Sequence, residues 1–315
     1  MKLRSVVAMF AAIAALPVPF VVRGYWLHVI IFAYYYAVLT SCWNLEAGFT
    51  GQFSFAYLGY SAIGAYASAL TVINWGIPPF LGMALGGVLS SIVGFLLGVL
   101  CLRMRAVYLA LTTIAFSEVL RIFLMAEYEI TRGALGLDVP PFFEGATKLQ
   151  SYYMMLGLLI LCLFVLYKLV NSRFGLFIRA IREDEDAAAC MAVDVVRYRV
   201  LVSAVGAFFS GLAGAFYAHY VLLIAPTMMV FSEMAKVIAM GVIGGMESLT
   251  GPLLGAFFVQ ILDEYLRVIG MWRLVVFGLI LLLTIRFRPR GFAAPLLQRL
   301  LGMLEKLKPL ATRSR

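Results

Sequence analysis

The stretch FLGMALGGVLSSIVGFLLGVLCL, residues 80–102, contains no charged residue. A bilayer-crossing helix needs about 20 apolar residues, so this run is long enough to span. Gly82 and Gly86, and Gly94 and Gly98, sit four residues apart, the spacing that lets two helices approach closely. A transmembrane barrel strand would alternate apolar and polar residues instead. Similar runs recur at roughly 6–22, 26–46, 55–73, 107–126, 152–170, 200–221, 231–245, 252–267 and 270–286. The expected fold is therefore all-α, a polytopic transmembrane helical bundle of about ten spans. The runs at 231–245 and 252–267 are short enough to be discontinuous or re-entrant.

Composition agrees. Of the 315 residues, 63% are hydrophobic and 13% charged, against about 45–50% and about 25% in soluble domains. Mean hydropathy is +0.98. These values exclude a disordered chain, a disulfide-rich secreted module and a typical soluble enzyme. Cys42, Cys101, Cys162 and Cys190 form no CxxC, and His28 and His219 are the two histidines. No metal site, cofactor site or catalytic group is read from this pattern. Residues 1–22 read as a retained first span rather than a cleaved signal, since the Ala12/Ala14 pair lies inside the apolar run.

The net charge of +9 reports orientation in the membrane rather than a nucleic-acid partner. With a cytoplasmic N-terminus, inside segments hold 10 Lys and Arg and the tail adds 8, giving 18 of 25, whereas outside segments hold 5. Both ends are therefore expected in the cytoplasm. The chain reads as a single membrane domain over 1–315, with an inside loop at 171–199 and a basic tail at 287–315. It contains no GxxxxGK[ST], so ATP-driven work would need another chain.

Three features carry chemistry. In the inside loop, Arg179 and Arg182 precede the acids Glu183, Asp184, Glu185 and Asp186, followed by an Ala-rich run to Met191. The acids suit the first turn of a short helix, where the macrodipole favours them. Such a helix could dock in a partner's groove or simply solvate the membrane surface. Second, Gly48 to Ser54 interrupts two apolar runs, and Gly244 to Pro252 does the same in the other half. Paired glycine-rich breaks point to a transport pathway, or to ordinary packing and a tight turn. Third, Glu118 and Arg121, and Glu233 and Lys236, lie three apart inside spans, while Asp263, Glu264 and Arg267 cluster. Pairing fits these groups better than a proton relay. Tyr34, Tyr35, Tyr36, Trp26, Trp43, Trp75 and Trp272 fit interfacial belts. Tyr57 could line a cavity, although packing suits it better.

Four stretches together resemble the permease subunits, of the LivM type, of bacterial branched-chain amino acid ATP-binding-cassette (ABC) importers. They are Gly48–Ser54 running to Tyr66, Tyr108–Arg121 with Thr131 to Leu137, Arg179–Tyr198 running to Ala215, and Gly244–Gly255 with Glu264. The resemblance implies that 171–199 is the segment that couples to an ATPase, with Arg182, Glu183, Asp184, Glu185, Asp186 and Ala188 as contacts. It implies Thr50, Gly51, Gln52, Ser54, Tyr57, Ser248 and Thr250 as pathway residues. It also implies four kinds of partner: a second permease of the family, two ABC ATPase subunits, a periplasmic solute-binding protein and the lipid of a bacterial inner membrane. Relatives of this type carry leucine, isoleucine and valine, and others carry different amino acids, urea, short amides or aromatic compounds. The chain departs from the common pattern at Phe55-Ala56-Tyr57 and at Glu247. The competing reading is an ion-coupled secondary transporter using Asp263, Glu264 or Glu118.

Overall fold

The computed structural model describes residues 17–287, apart from positions 23, 102, 103, 105, 144, 146, 247 and 271. Residues 6–16 of the expected first span, nearly all of the basic tail, and Glu247 therefore lie outside the described residues; the described end of that span holds a four-residue helix at Val18–Val21. The regular structure of the described residues is helical apart from one antiparallel pair of two-residue strands, β1 (Leu137–Asp138) and β2 (Leu223–Ile224).

The long helices follow the apolar runs closely. They are α1 (Tyr25–Ala47), α2 (Tyr57–Trp75), α3 (Pro79–Leu100), α4 (Ala106–Ala126) and α5 (Lys148–Val170). The segment at 171–199 folds as α6 (Arg173–Glu183) and α7 (Glu185–Cys190), followed by α8 (Val195–Val221). The chain then continues as α9 (Phe231–Gly244), α10 (Gly251–Leu266) and α11 (Trp272–Phe287). Five of these, α1, α3, α4, α5 and α8, are long and apolar enough to cross a membrane. The 19-residue α2 carries more Gly, Ser and Tyr and lies against α3 and α8. With 14 and 16 residues, α9 and α10 reach only about 21 and 24 Å at 1.5 Å per residue, less than a hydrocarbon core of about 30 Å.

Local chemistry sets the helix ends. Pro79 and Pro252 occupy first-turn positions, where a missing N–H is harmless. The Asp184 carboxylate accepts from the Ala187 N–H at 3.0 Å, and Asp194 caps α8 through the Arg197 N–H at 3.0 Å. This corrects the expectation of one helix carrying all four acids in its first turn. Glu183 ends α6, Asp184 stands extended between the helices, and only Glu185 and Asp186 lie in the first turn of α7. An aspartate is a strong N-cap, so its side chain captures the next helix start and breaks the chain there.

α8 is the hub, packed on α2 and α3, while α1 packs on α5 and α10. Small residues make this approach possible. A Cβ on Gly64 of α2 would overlap the Gly211 carbonyl of α8, and one on Gly214 would overlap the Ser61 carbonyl. One on Gly94 of α3 would overlap Ala207. Where lipid is as apolar as the side chains, such close van der Waals contact drives helix association.

Burial corrects the aromatic reading in part. Trp26, Trp75 and Trp272 are exposed near helix ends, as a belt requires, but Tyr34, Tyr35, Tyr36 and Trp43 are buried. Their hydroxyl and indole groups find internal partners instead: Tyr34 with Tyr152 at 2.8 Å, Tyr35 with Ser61 at 2.9 Å, and Trp43 with the Ser54 carbonyl at 3.0 Å. His219 is buried between Ser68 at 2.8 Å and the Pro140 carbonyl at 2.7 Å. Its Nδ1 must donate to that carbonyl, so Nε2 accepts from the Ser68 hydroxyl in the neutral ring.

Candidate functional site

The candidate pathway residues begin where α1 ends. Gly48 follows the last turn of α1, and residues 51–56 run without regular structure to α2. Gly51 has φ +78°, a left-handed conformation that favours glycine. Irregular backbone of this kind must be satisfied by protein or water at membrane depth, and here side chains supply the partners. The Thr50 hydroxyl donates to the Leu45 carbonyl at 3.1 Å, and the Gln52 N–H donates to the Glu46 carbonyl at 3.1 Å. Thr113 of α4 accepts from the Phe55 N–H at 3.0 Å, and Ser117 donates to the Phe55 carbonyl at 3.0 Å.

The second break lies between α9 and α10. The Ser248 hydroxyl accepts from the Gly251 N–H at 2.9 Å and donates to the Gly245 carbonyl at 3.1 Å, so it closes the turn and caps α10. Thr250 is the residue preceding α10, with no side-chain cap bond. A Cβ on Gly255 would overlap the Met240 carbonyl, and one on Gly244 would overlap the Gly251 carbonyl. The two breaks are joined by Asn44, whose amide donates to the Ser248 carbonyl at 2.9 Å. Thr50 and Ser54 are turned into their own break, each with 2% or less of its surface exposed.

Glu46, Gln52, Ser54, Tyr60, Arg199 and Ser203, with Leu97, Cys101 and Leu109, line a narrow, partly open pocket beside the first break. Glu46 is buried and accepts from the Tyr57 hydroxyl at 2.6 Å. Tyr57 therefore acts as the buried partner of a carboxylate, packed where a Cβ on Gly206 would meet its hydroxyl. Glu46 and Arg199 place a carboxyl group and a guanidinium on the walls of the same pocket.

The 171–199 segment reaches this region directly. Arg182, in the last turn of α6, donates from Nη1 to the Gly48 carbonyl at 2.7 Å. Gly51 lies against the same side chain, where an added Cβ would come 3.2 Å from Arg182 Cγ. One turn earlier, the Arg179 guanidinium lies 5.4 Å from the Phe49 ring centre, within cation–π range. Arg199, in the first turns of α8, makes a two-pronged pair with Glu185 of α7 at 2.6 and 2.7 Å. Thus α6 and α7 touch the break at Gly48–Gly51 through Arg182 and the pocket wall through Arg199. Glu183 and Asp186 stay exposed, while Ala188 is buried, so the exposed tip of α7 belongs to Cys190 and Met191 rather than to Ala188. The roles of Asn44 and Arg199 were not legible in the sequence. Asn44 stands as a lone amide near the end of an apolar run, and Arg199 lies fourteen positions from Glu185.

Glu118, Glu233, Asp263 and Glu264 are each paired with a cation. Arg121 and Glu118 pair on α4. Lys236 of α9 bridges Glu233 at 2.8 Å and Asp263 of α10 at 3.2 Å, and Arg273 of α11 approaches Asp263 at 3.5 Å. Lys236 also lies 4.3 Å from the Tyr36 ring centre, and the Tyr36 hydroxyl donates to Glu233 at 2.8 Å. Glu264 pairs with Arg267 at 3.4 Å. The expected self-neutralising pairs therefore form, and Asp263 adds a cross-helix partner that the sequence cluster had hidden.

Residues 25–285 match the family described as branched-chain amino acid transport system / permease component. The chain is 30% identical over 284 residues to the high-affinity branched-chain amino acid transport system permease protein LivM of Salmonella typhimurium, covering 81% of this chain and 67% of that one. LivM of Escherichia coli gives the same identity and coverage. The probable LivM of Methanocaldococcus jannaschii is 23% identical over 312 residues, covering 82% of this chain and 90% of that one. No solved structure matches the chain. An all-α, multi-pass arrangement of apolar helices, interrupted by two glycine-rich breaks, is joined to a family match over most of its length: the chain belongs to the branched-chain amino acid transport permease family.

Proposed function

We propose that this chain is one of two permease subunits of an ATP-driven importer in a bacterial inner membrane, carrying leucine, isoleucine, valine or a related amino acid inward. Urea, short amides and aromatic compounds are the other substrate classes within reach of the fold. Both ends lie in the cytoplasm and the chain crosses about ten times, with α9 and α10 counted as two short crossings or one re-entrant hairpin. ATP is hydrolysed by two partner subunits, and a periplasmic solute-binding protein delivers the solute.

One observation carries the reading: the Arg182 bond to the Gly48 carbonyl. It joins the 171–199 segment, read as the long inside loop, to the first glycine-rich break. A partner that displaces α6 and α7 would move that break with them. Glu183, Asp184, Glu185 and Asp186 offer the ATPase subunit an acidic rim, and Ala188 anchors α7 to its own chain. Thr50, Gly51, Gln52, Ser54 and Tyr57 form one side of the pathway, and Ser248 and Thr250 form its counterpart across Asn44. Nucleotide closure shifts α7, Arg199 is pulled relative to Glu46, and the bundle opens outward to take the solute between the two permeases; hydrolysis then resets the assembly. The pairing of Glu118, Asp263 and Glu264 with cations weighs against an ion-coupled carrier, which needs a carboxylate free to load and unload its ion.

The test replaces Glu183, Asp184 and Glu185 together with alanine. Uptake should fall while the permease remains in the membrane at its normal level, and the ATPase subunits should no longer co-purify. Normal uptake by that variant would count against the docking role.

A further inference from the structure

α4 is poorly covered by its own chain. Only 17% of the residues in its apolar window are buried, against 78% for α1 and 72% for α8. Its inner face, with Leu109, Thr113 and Leu124, packs inward. The remainder divides into two unlike flanks at 100° per residue. One flank carries Val119, Phe123 and Tyr108, all strongly exposed and free of charge, as a lipid-facing surface should be. The other carries Ile114, Glu118, Arg121 and Met125.

That second flank does not suit lipid. The Glu118 side chain is 46% exposed and that of Arg121 23%. Glu118 lies two residues from the helix midpoint, or about 3 Å along the axis at 1.5 Å per residue. An ion pair at that depth is costly against hydrocarbon and belongs on a surface that faces protein or water. Its surroundings are apolar: Ile114 and Ser117, with Phe55, Met234 and the exposed Phe231 beside Glu118. Phe55 and Phe231 stack at 5.8 Å. One charged pair set among half-buried apolar and aromatic groups, with Phe231 exposed beside it, has the composition of an interface core rather than of a wetted wall. The flank is also continuous with the first glycine-rich break, because Thr113 and Ser117 bond the backbone of Phe55.

We infer that the Ile114–Glu118–Arg121–Met125 flank of α4, with Phe55 and Phe231, is the seam on which a second permease chain of the same family packs. This rests on the two-permease reading above and goes beyond it by naming the surface. The partner presents a polar or charged group at the depth of Glu118 and apolar side chains around it. The solute pathway then runs beside this seam, since the break at Gly48–Phe55 borders it. The Val119–Phe123 flank faces lipid.

The seam is tested by photo-crosslinking in membranes that contain the whole transporter. Benzoylphenylalanine is placed at Ile114, half-buried on the seam, or, separately, at Phe123, exposed on the other flank. The inference expects a protein adduct of about two permease masses from position 114 and none from 123. An adduct from 123 but not 114 overturns it, as does the absence of any adduct while the second permease still co-purifies. In a Cys190→Ser background, Glu118→Cys should resist a membrane-impermeant maleimide in the intact assembly. Rapid labelling there would make the flank a water-lined wall and overturn the seam. If no second permease co-purifies at all, the two-permease reading itself falls, which separates the two failures.

Discussion

Replacing Arg182 with alanine severs the bond that ties the inside segment to the first break. The guanidinium donates to the Gly48 carbonyl at 2.7 Å, and a hydrogen bond to a charged group is worth about 1.5–3 kcal/mol. Arg182 is open to solvent on one side, so the lower figure applies. At about 1.4 kcal/mol per decade, the coupling equilibrium weakens about tenfold. The Arg179–Phe49 contact at 5.4 Å would remain and hold the segment near the break. The assay is solute uptake and ATP hydrolysis measured together in vesicles carrying the full transporter. Arg182→Ala should lower uptake about tenfold while ATP hydrolysis falls less, so that more ATP is spent per solute molecule. Arg179→Ala added to it should deepen the loss. Unchanged uptake and unchanged ATP per solute, with the variant present at its normal level, would refute the link between α6 and the break.

Other outcomes follow from the same geometry. Lys236→Met strips the shared cation from Glu233 and Asp263, and breaking a buried pair on one side costs about 3–5 kcal/mol; thermal unfolding in detergent should show a clear drop in midpoint. Gly255→Ala places a methyl against the Met240 carbonyl, forcing α9 and α10 apart, and should cost about 1–3 kcal/mol by overpacking, read as loss of folded protein in the same melt. Asn44→Ala removes the amide bond between the two breaks, worth about 1 kcal/mol net, and should lower uptake more than it lowers the melting midpoint.

The helical register was highly legible in the sequence, because each long apolar run has to satisfy its own backbone within the segment. The spans at 26–46, 107–126 and 231–245 lie within two residues of α1, α4 and α9 at each end. Charge pairs three apart were legible for the same reason, since they lie on one helix face. What the sequence hid was contact between distant segments. Nothing in local pattern tells that Asn44 reaches Ser248, that Arg182 reaches Gly48, or that Arg199 reaches Glu185. The triple Tyr34–Tyr36 was misread as a belt because an aromatic with a hydroxyl looks alike at an interface and in a core that supplies a partner. The acidic run was read as one helix start because composition cannot say which of four carboxylates will fold back as the cap; the extended backbone at Asp184 decides it.

The central claim is that this chain imports an amino acid only when a partner ATPase works on its inside segment. The most direct measurement is uptake of labelled leucine, isoleucine or valine into vesicles that contain the permease pair and its ATPase subunits, with the solute-binding protein outside and nucleotide within. Uptake should require enclosed ATP, vanish with ADP, and persist when the proton gradient is collapsed. Uptake that continues without ATP and stops with the proton gradient would contradict the account.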